Sequence, residues 1–278
     1  MKKARVAWFI DFLRQLFKKI KGDEVQAVSA QLSYYFILSL FPFLIFIMTL
    51  VGYANISIED NIRELGRIMP AETVTFIEGI VKEVSEVRNQ ALLSFGMLAT
   101  LWIASKGVNA TLKGLNKAYD IEESRAFWKI RGISFLATLV IGLVILLSTL
   151  LLVLGSWLKD QVFLLFNFPD IIYQLWNLIQ YAVPLFIMII VFTVLYWIAP
   201  NRKMSYKEAL PGAIFTTIGW ITTSVLFSIY VSRFGEFTKT YGSLGGVMIL
   251  LIWLYISSMI ILVGGEINAT LVYRRGKR

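Results

Sequence analysis

Residues 241–268 read Tyr241-Gly-Ser-Leu-Gly-Gly, then an uncharged apolar run from Val247 to Val263, then Gly264-Gly265-Glu266-Ile267-Asn268. About 20 apolar residues, each rising 1.5 Å, cross a bilayer core of about 30 Å, so this stretch reads as a membrane span rather than a soluble core helix. Its second end carries paired glycines, a carboxylate and an amide while the helical pattern continues. A carboxylate within a span is costly, so Glu266 needs either a partner or a task.

The rest of the chain has the same character. Of its 278 residues 57% are hydrophobic, and the mean hydropathy is +0.69. Charged residues make up 16%, against about 25% in soluble domains, and they lie between apolar runs. The chain therefore reads as an all-α integral membrane protein with one bundle. It contains no cysteine and no histidine. That excludes disulfides, Cys/His metal sites, and catalysis by Cys-His or Ser-His-Asp groupings; only a carboxylate metal site stays open on paper. No phosphate loop, dinucleotide fingerprint, zincin motif or nucleophile elbow is present. No catalytic residue, metal or cofactor is expected.

Six spans are expected, at about 25–53, 91–118, 132–157, 173–198, 209–232 and 245–271. Pro184 lies mid-span in the fourth and predicts a kink. Residues 1–22 place Trp8, Phe9, Phe12, Leu13, Leu16, Phe17 and Ile20 at helical spacing, ringed by Arg and Lys. This predicts an amphipathic helix, either on an anionic membrane face or packed on the cytoplasmic side of the bundle, and not a signal peptide. The segment 54–90 reads as two amphipathic helices over the outer mouth of the bundle, with Pro70 starting the second. The membrane domain then runs over 23–272, and 273–278 is a basic tail.

Orientation follows from Lys and Arg. Of the 27, 19 fall in segments 2–21, 113–131, 202–207 and 274–278, seven fall in the outer segments, and Lys106 lies within a span. The bias predicts both termini in the cytoplasm. It also accounts for the net charge of +9 without a nucleic-acid partner. Expected partners are membrane lipids and anionic phospholipid headgroups, and a homo-oligomer stays open.

Several spans carry polar stripes. In the first, Gln31, Tyr35, Ser39 and Pro42 share a helical face. In the second, Trp102, Lys106, Asn109, Lys113 and Asn116 recur at spacings of three and four. The fifth places Gly212, Thr216, Gly219, Trp220 and Thr223 on one side. Such residues either join helices by hydrogen bonds, at about 0.6 kcal/mol each, or line a cavity. Gln31, Tyr35, Ser39, Lys106, Asn109, Lys113, Thr216, Trp220, Glu266 and Asn268 are the candidate cavity residues. Lys106 and Glu266 read as lying at similar depth, which predicts an ion pair between them.

Three motifs arrive in order: Ala30-Gln31-Leu32-Ser33-Tyr34-Tyr35 with Ser39-Leu40-Phe41-Pro42; Ala199-Pro200-Asn201 with Pro211-Gly212-Ala213 and Trp220; and Tyr241 to Gly246 with Trp253-Leu254-Tyr255 and Gly264 to Ala269. Together they cover about 25–272, and in them the chain resembles the YihY/BrkB family of bacterial inner-membrane proteins. The resemblance implies an inner-membrane location. Members have carried a ribonuclease BN label, widely regarded as a misassignment, and a virulence or serum-resistance label. Movement of lipids or other amphiphiles has been entertained for them. No agreed catalytic residues carry over.

The expected function is transport or flipping of an anionic lipid or other amphiphile. The alternatives are a non-transporting envelope structural or assembly factor, and an ion or small-solute transporter. A ribonuclease is disfavoured, because the acids near the inner face, Asp120, Glu122 and Glu123, adjoin bases in a short connector.

Overall fold

Helices account for nearly all of residues 2–53, 90–144, 170–234 and 245–276, which the computed structural model describes. Seven helices and no strand occur among them: α1 Lys2–Gly22, α2 Val25–Tyr53, α3 Gln90–Ala118, α4 Phe127–Val144, α5 Asp170–Ile198, α6 Tyr206–Phe234 and α7 Gly245–Gly276. Four contain stretches long and apolar enough to cross a membrane: Val25–Phe46, Phe127–Val144, Tyr206–Val231 and Gly245–Arg275. The apolar stretch of α5, Ala182–Ile198, is shorter. The expected outer helices over 54–90 and the end of the third span, after 144, lie outside the described residues.

The chain divides into two units. One comprises residues 1–34 and 105–278; the other comprises 35–104. Within the second, Gly96 lets α3 approach the backbone of α2 closely. A Cβ there would lie 2.9 Å from Phe46 N and 3.0 Å from the Pro42 carbonyl.

Local chemistry sets the helix ends of the first unit. α1 stops at a two-residue turn in which Glu24 takes a left-handed φ of 54°. The same residue opens α2, its carbonyl accepting from Val28 N–H at 3.1 Å. α3 ends in a Schellman arrangement. Ile121 N–H donates to Asn116 C=O at 3.0 Å and Asp120 N–H donates to Lys117 C=O at 3.0 Å, while Asp120 has φ 55°. α6 opens on a capping box: Ser205 N–H donates to Glu208 Oε2 at 3.1 Å and Lys207 N–H donates to Ser205 Oγ at 3.4 Å. This cap starts α6 three residues before the position expected from hydropathy alone.

The core of this unit is the packing of α6 on α5 and α7, with α1 laid against α7. Leu112, Leu115, Tyr196, Ala199, Ala209 and Ala213 form its buried apolar cluster. Glycines set the approach. A Cβ on Gly212 would collide with Gly264 C=O and the Asn268 amide; one on Gly264 would collide with Thr216 and Tyr196; one on Gly265 would collide with Leu115. Small residues at such crossings bring helix backbones together, which is how helices gain packing where no hydrophobic force drives association.

Candidate functional site

The four basic segments of the sequence meet at one end of the first unit. Lys19 of α1 donates to Ala118 C=O at 2.8 Å and to Asp120 Oδ2 at 3.2 Å, and stands 3.6 Å from Asp23 Oδ2. Lys117 pairs with Glu24 at 2.8 Å, which holds the exposed Glu24 carboxyl below its ordinary range. Asn116 joins two connectors, donating to Glu123 Oε2 at 2.7 Å and accepting from Asn201 N–H at 2.7 Å. Arg125 donates to Glu123 Oε1 at 2.7 Å and to Ala199 C=O at 3.0 Å. Arg202 lies over the Tyr119 ring, 5.3 Å from its centre. Burial pushes the Tyr119 phenol upward, and the Arg202 charge opposes that shift. Arg274 pairs with Asp11 at 3.0 Å and covers Trp8.

Two cavities open at this end. One of about 310 Å³ is lined by Lys19, Tyr119, Asp120, Arg202 and Tyr273, among others. The second, of about 570 Å³, lies between α1 and α7, with Trp8, Lys18, Lys19, Thr270 and Arg274 on its wall. Phe12 and Leu16 of α1 are buried, whereas Val6, Phe9, Ile10 and Phe17 are exposed. Among the described residues, no group of three or more Asp or Glu side chains is placed to hold a metal ion.

Glu123 is the most firmly held acid of the connector. Its hydrogen bond from Arg125 keeps the carboxyl below the ordinary value of 4.5, with burial opposing. A lowered folded-state value adds stability above the unfolded value, and that stability is lost as pH falls through the folded one. Glu123→Gln is therefore expected to lower stability by about 1–2 kcal/mol at neutral pH. The gap to wild type should close as pH falls below 4.5. Thermal unfolding in detergent across that range measures both.

The candidate residues separate into two groups. Thr216 and Asn268 are fully buried and engaged in helix packing. Tyr196 Oη donates to Ile261 C=O at 2.6 Å, so it accepts from Thr216 Oγ1 at 2.6 Å. Asn268 donates to Ala209 C=O at 2.8 Å and accepts from Gly212 N–H at 2.7 Å. Trp220, half-buried, donates to Ser257 Oγ at 3.1 Å and meets Trp253 edge-on at 5.7 Å. Gln31, Lys106 and Lys113 are exposed, and Asn109 is half-buried with its Oδ1 unpartnered among the described residues. In the second unit Tyr35 and Ser39 are half-buried, and Ser39 Oγ donates to Phe36 C=O at 2.8 Å.

The expected Lys106–Glu266 ion pair is not formed. Glu266 is 1% exposed, Lys106 is open, and the charges acting on Glu266 are those of Asp23, Lys19 and Asp120. Gly265 packs on Leu115, so Glu266 sits near the end of α3. Nine residues of helix, about 13 Å, separate that level from Lys106.

Comparison with known proteins fits this architecture. A family model described as Virulence factor BrkB matches residues 16–278. The chain belongs to that family. YfkH of Bacillus subtilis strain 168, a protein named ribonuclease-like, is 43% identical over 266 residues, covering 96% of this chain and 97% of its own. A UPF0761 membrane protein of Alteromonas mediterranea is 26% identical over 274 residues, covering 93% of this chain and 88% of its own. A further UPF0761 membrane protein, from Psychromonas ingrahamii, is 25% identical over 280 residues, covering 98% and 90%. No solved structure matches the chain. The resemblance read from the three motifs therefore holds, and the chain is a membrane protein of the BrkB family.

Proposed function

We propose that this BrkB-family protein moves an anionic amphiphile, with a phospholipid as the reference case, across the bacterial inner membrane. In this reading the basic end of the first unit faces the cytoplasm, both termini lie there, and the protein acts without a cofactor and not as an enzyme. The observation that carries the reading is Lys106. It is exposed on α3 and has no ion-pair partner among the described residues. α3, expected as the second span, is not among the four membrane-length stretches described above; in this reading it nevertheless crosses the membrane, where a cation costs about 2.5–3.5 kcal/mol unless an anion or water compensates it. A lipid phosphate passing along α3 would compensate the charge at Lys106 and again at Lys113, one step nearer the end. The exposed apolar side of α1, with Phe9, Ile10 and Phe17, suits a helix lying in the membrane surface beside that exit.

The test is reconstitution of the full chain in liposomes containing labelled phosphatidylglycerol. Wild type is expected to move the label between leaflets faster than empty liposomes. Lys106→Ala should slow it about tenfold, the equivalent of one charge-assisted contact, and Lys113→Ala should slow it less. Wild-type vesicles no faster than empty ones would remove the reading and leave an envelope structural or assembly factor.

A further inference from the structure

Glu266 Oε2 and Asp23 Oδ2 are both buried, and neither meets a hydrogen-bond donor among the described residues. The two carboxyls are neighbours. Asp23 lies within hydrogen-bonding reach of Glu266, and Lys19 and Asp120 are further charged groups beside it. Two ionised carboxyls are acceptors only, so facing oxygens are satisfied only when one of them carries a proton. Lys19 does not resolve the conflict. Its ammonium donates to Ala118 C=O and Asp120, and at 3.6 Å from Asp23 Oδ2 it is beyond hydrogen-bond length.

We propose that Asp23 and Glu266 bind one proton between them and so form a proton-dependent latch between the α1–α2 turn and α7. The groups facing the pair come from several elements. They are Lys19 of α1, Asp120 and Tyr119 beyond the end of α3, and, acting through Tyr119, Arg202 of the α5–α6 connector and Glu208 of α6. The Tyr119 hydroxyl is itself buried without a partner among the described residues. Water reaches this region, because Lys19, Tyr119 and Asp120 also line the 310 Å³ cavity. When the proton leaves to water, two carboxylates face each other and one ammonium balances only one of them. Asp23 is the side that yields, because it stands in the two-residue turn beside left-handed Glu24, whereas Glu266 is fixed mid-helix on α7. The latch does not depend on what the protein moves, and holds whether or not a lipid is carried.

The experiment uses the full chain in lipid nanodiscs, with infrared difference spectra taken across a pH titration. Above about pH 5.5, where exposed carboxyls are already ionised, wild type is expected to keep the C=O band of one protonated carboxyl and to lose it as pH rises further. The band should be absent in Glu266→Gln and in Asp23→Asn. Amide hydrogen exchange at residues 19–28, corrected for intrinsic rates, should report local opening that grows by up to about tenfold per pH unit in wild type, the limit for one proton. In Glu266→Gln, whose amide keeps a donor towards Asp23, opening should be independent of pH. Should Glu266→Gln fail to fold, Asp23→Asn carries both readings. A band that persists in either variant, a band absent from wild type, or a band abolished by sodium at fixed pH overturns the proposal; the last would make this a cation site.

Discussion

Gly264→Val is expected to prevent the α5–α6–α7 core from closing. The Cβ of any residue at 264 would collide with Thr216 Oγ1 and the Tyr196 hydroxyl, and it would also lie 3.0 Å from Gly212 C=O. None of these atoms is the free end of a flexible side chain. Tyr196 and Thr216 are fully buried, and they are bonded to each other and to the α7 backbone at Ile261. Moving either one breaks a buried hydrogen bond, at about 1–3 kcal/mol, in addition to the overpacking cost of about 1–3 kcal/mol. Valine adds two methyl groups to that Cβ, so a loss above about 3 kcal/mol is expected. Alanine should lose less, because it recovers up to about 1 kcal/mol of helix propensity. Thermal unfolding in detergent, with size-exclusion chromatography as a check on folding, measures the series. Gly246→Ala is the control on the same helix, because a Cβ there meets nothing within 4 Å among the described residues. A valine variant that melts with wild type would show that α6 and α7 do not cross at Gly212 and Gly264.

Membrane character, helical class and family were legible because each rests on local pattern: long apolar runs, charge between them, and motifs in order. The gathering of basic segments was legible too. Segments 2–21, 113–131 and 202–207, read as lying on one side from their Lys and Arg, are joined by the contacts of Lys19, Asn116 and Arg202. Depth across helices was not legible. Counting residues along α3 and along α7 set Lys106 beside Glu266, but it gave no measure of the offset between two helices. The contact of Gly265 with Leu115 fixes that offset and replaces Lys106 with Asp23 and Lys19. Polar residues within the spans were equally ambiguous. Thr216 and Asn268 carried the same signal as Lys106, yet they serve packing. A hydroxyl or amide can be satisfied by a neighbouring backbone, whereas an ammonium needs an anion, water or several acceptors. Tyr196 and the Glu123–Arg125 pair were missed: a tyrosine near a span end reads as an interfacial anchor, and a short charged connector reads as solvated. The start of α6 could have been found, because Ser205 and Glu208 stand at capping-box spacing.

Asn268 gives the sharper of the two tests, because shape and hydrogen bonding separate there. Its amide spans Pro211, which lies inside α6 and lacks the N–H an ordinary helix residue would donate. On one side of the proline the amide donates to Ala209 C=O, and on the other it accepts from Gly212 N–H. The residue has no exposed surface, so no water replaces either bond. Asn268→Leu keeps roughly the same bulk and leaves both backbone groups without their α7 partner, for an expected loss of about 2–4 kcal/mol. Asn268→Asp is a smaller change in shape and is expected to be worse at neutral pH. The carboxylate still accepts from Gly212, but it sets a second acceptor against Ala209 C=O and buries a charge. Acid should rescue the aspartate variant, because a protonated carboxyl can donate to Ala209, and it should leave the leucine variant unchanged. Unfolding curves at neutral and acid pH separate these cases. If the leucine variant matched wild type, the amide would be dispensable to the α6–α7 contact, which would then rest on the glycine crossing alone. The ordering of wild type above leucine above aspartate, reversed between the two variants by acid, is the signature of an amide held for both its donor and its acceptor.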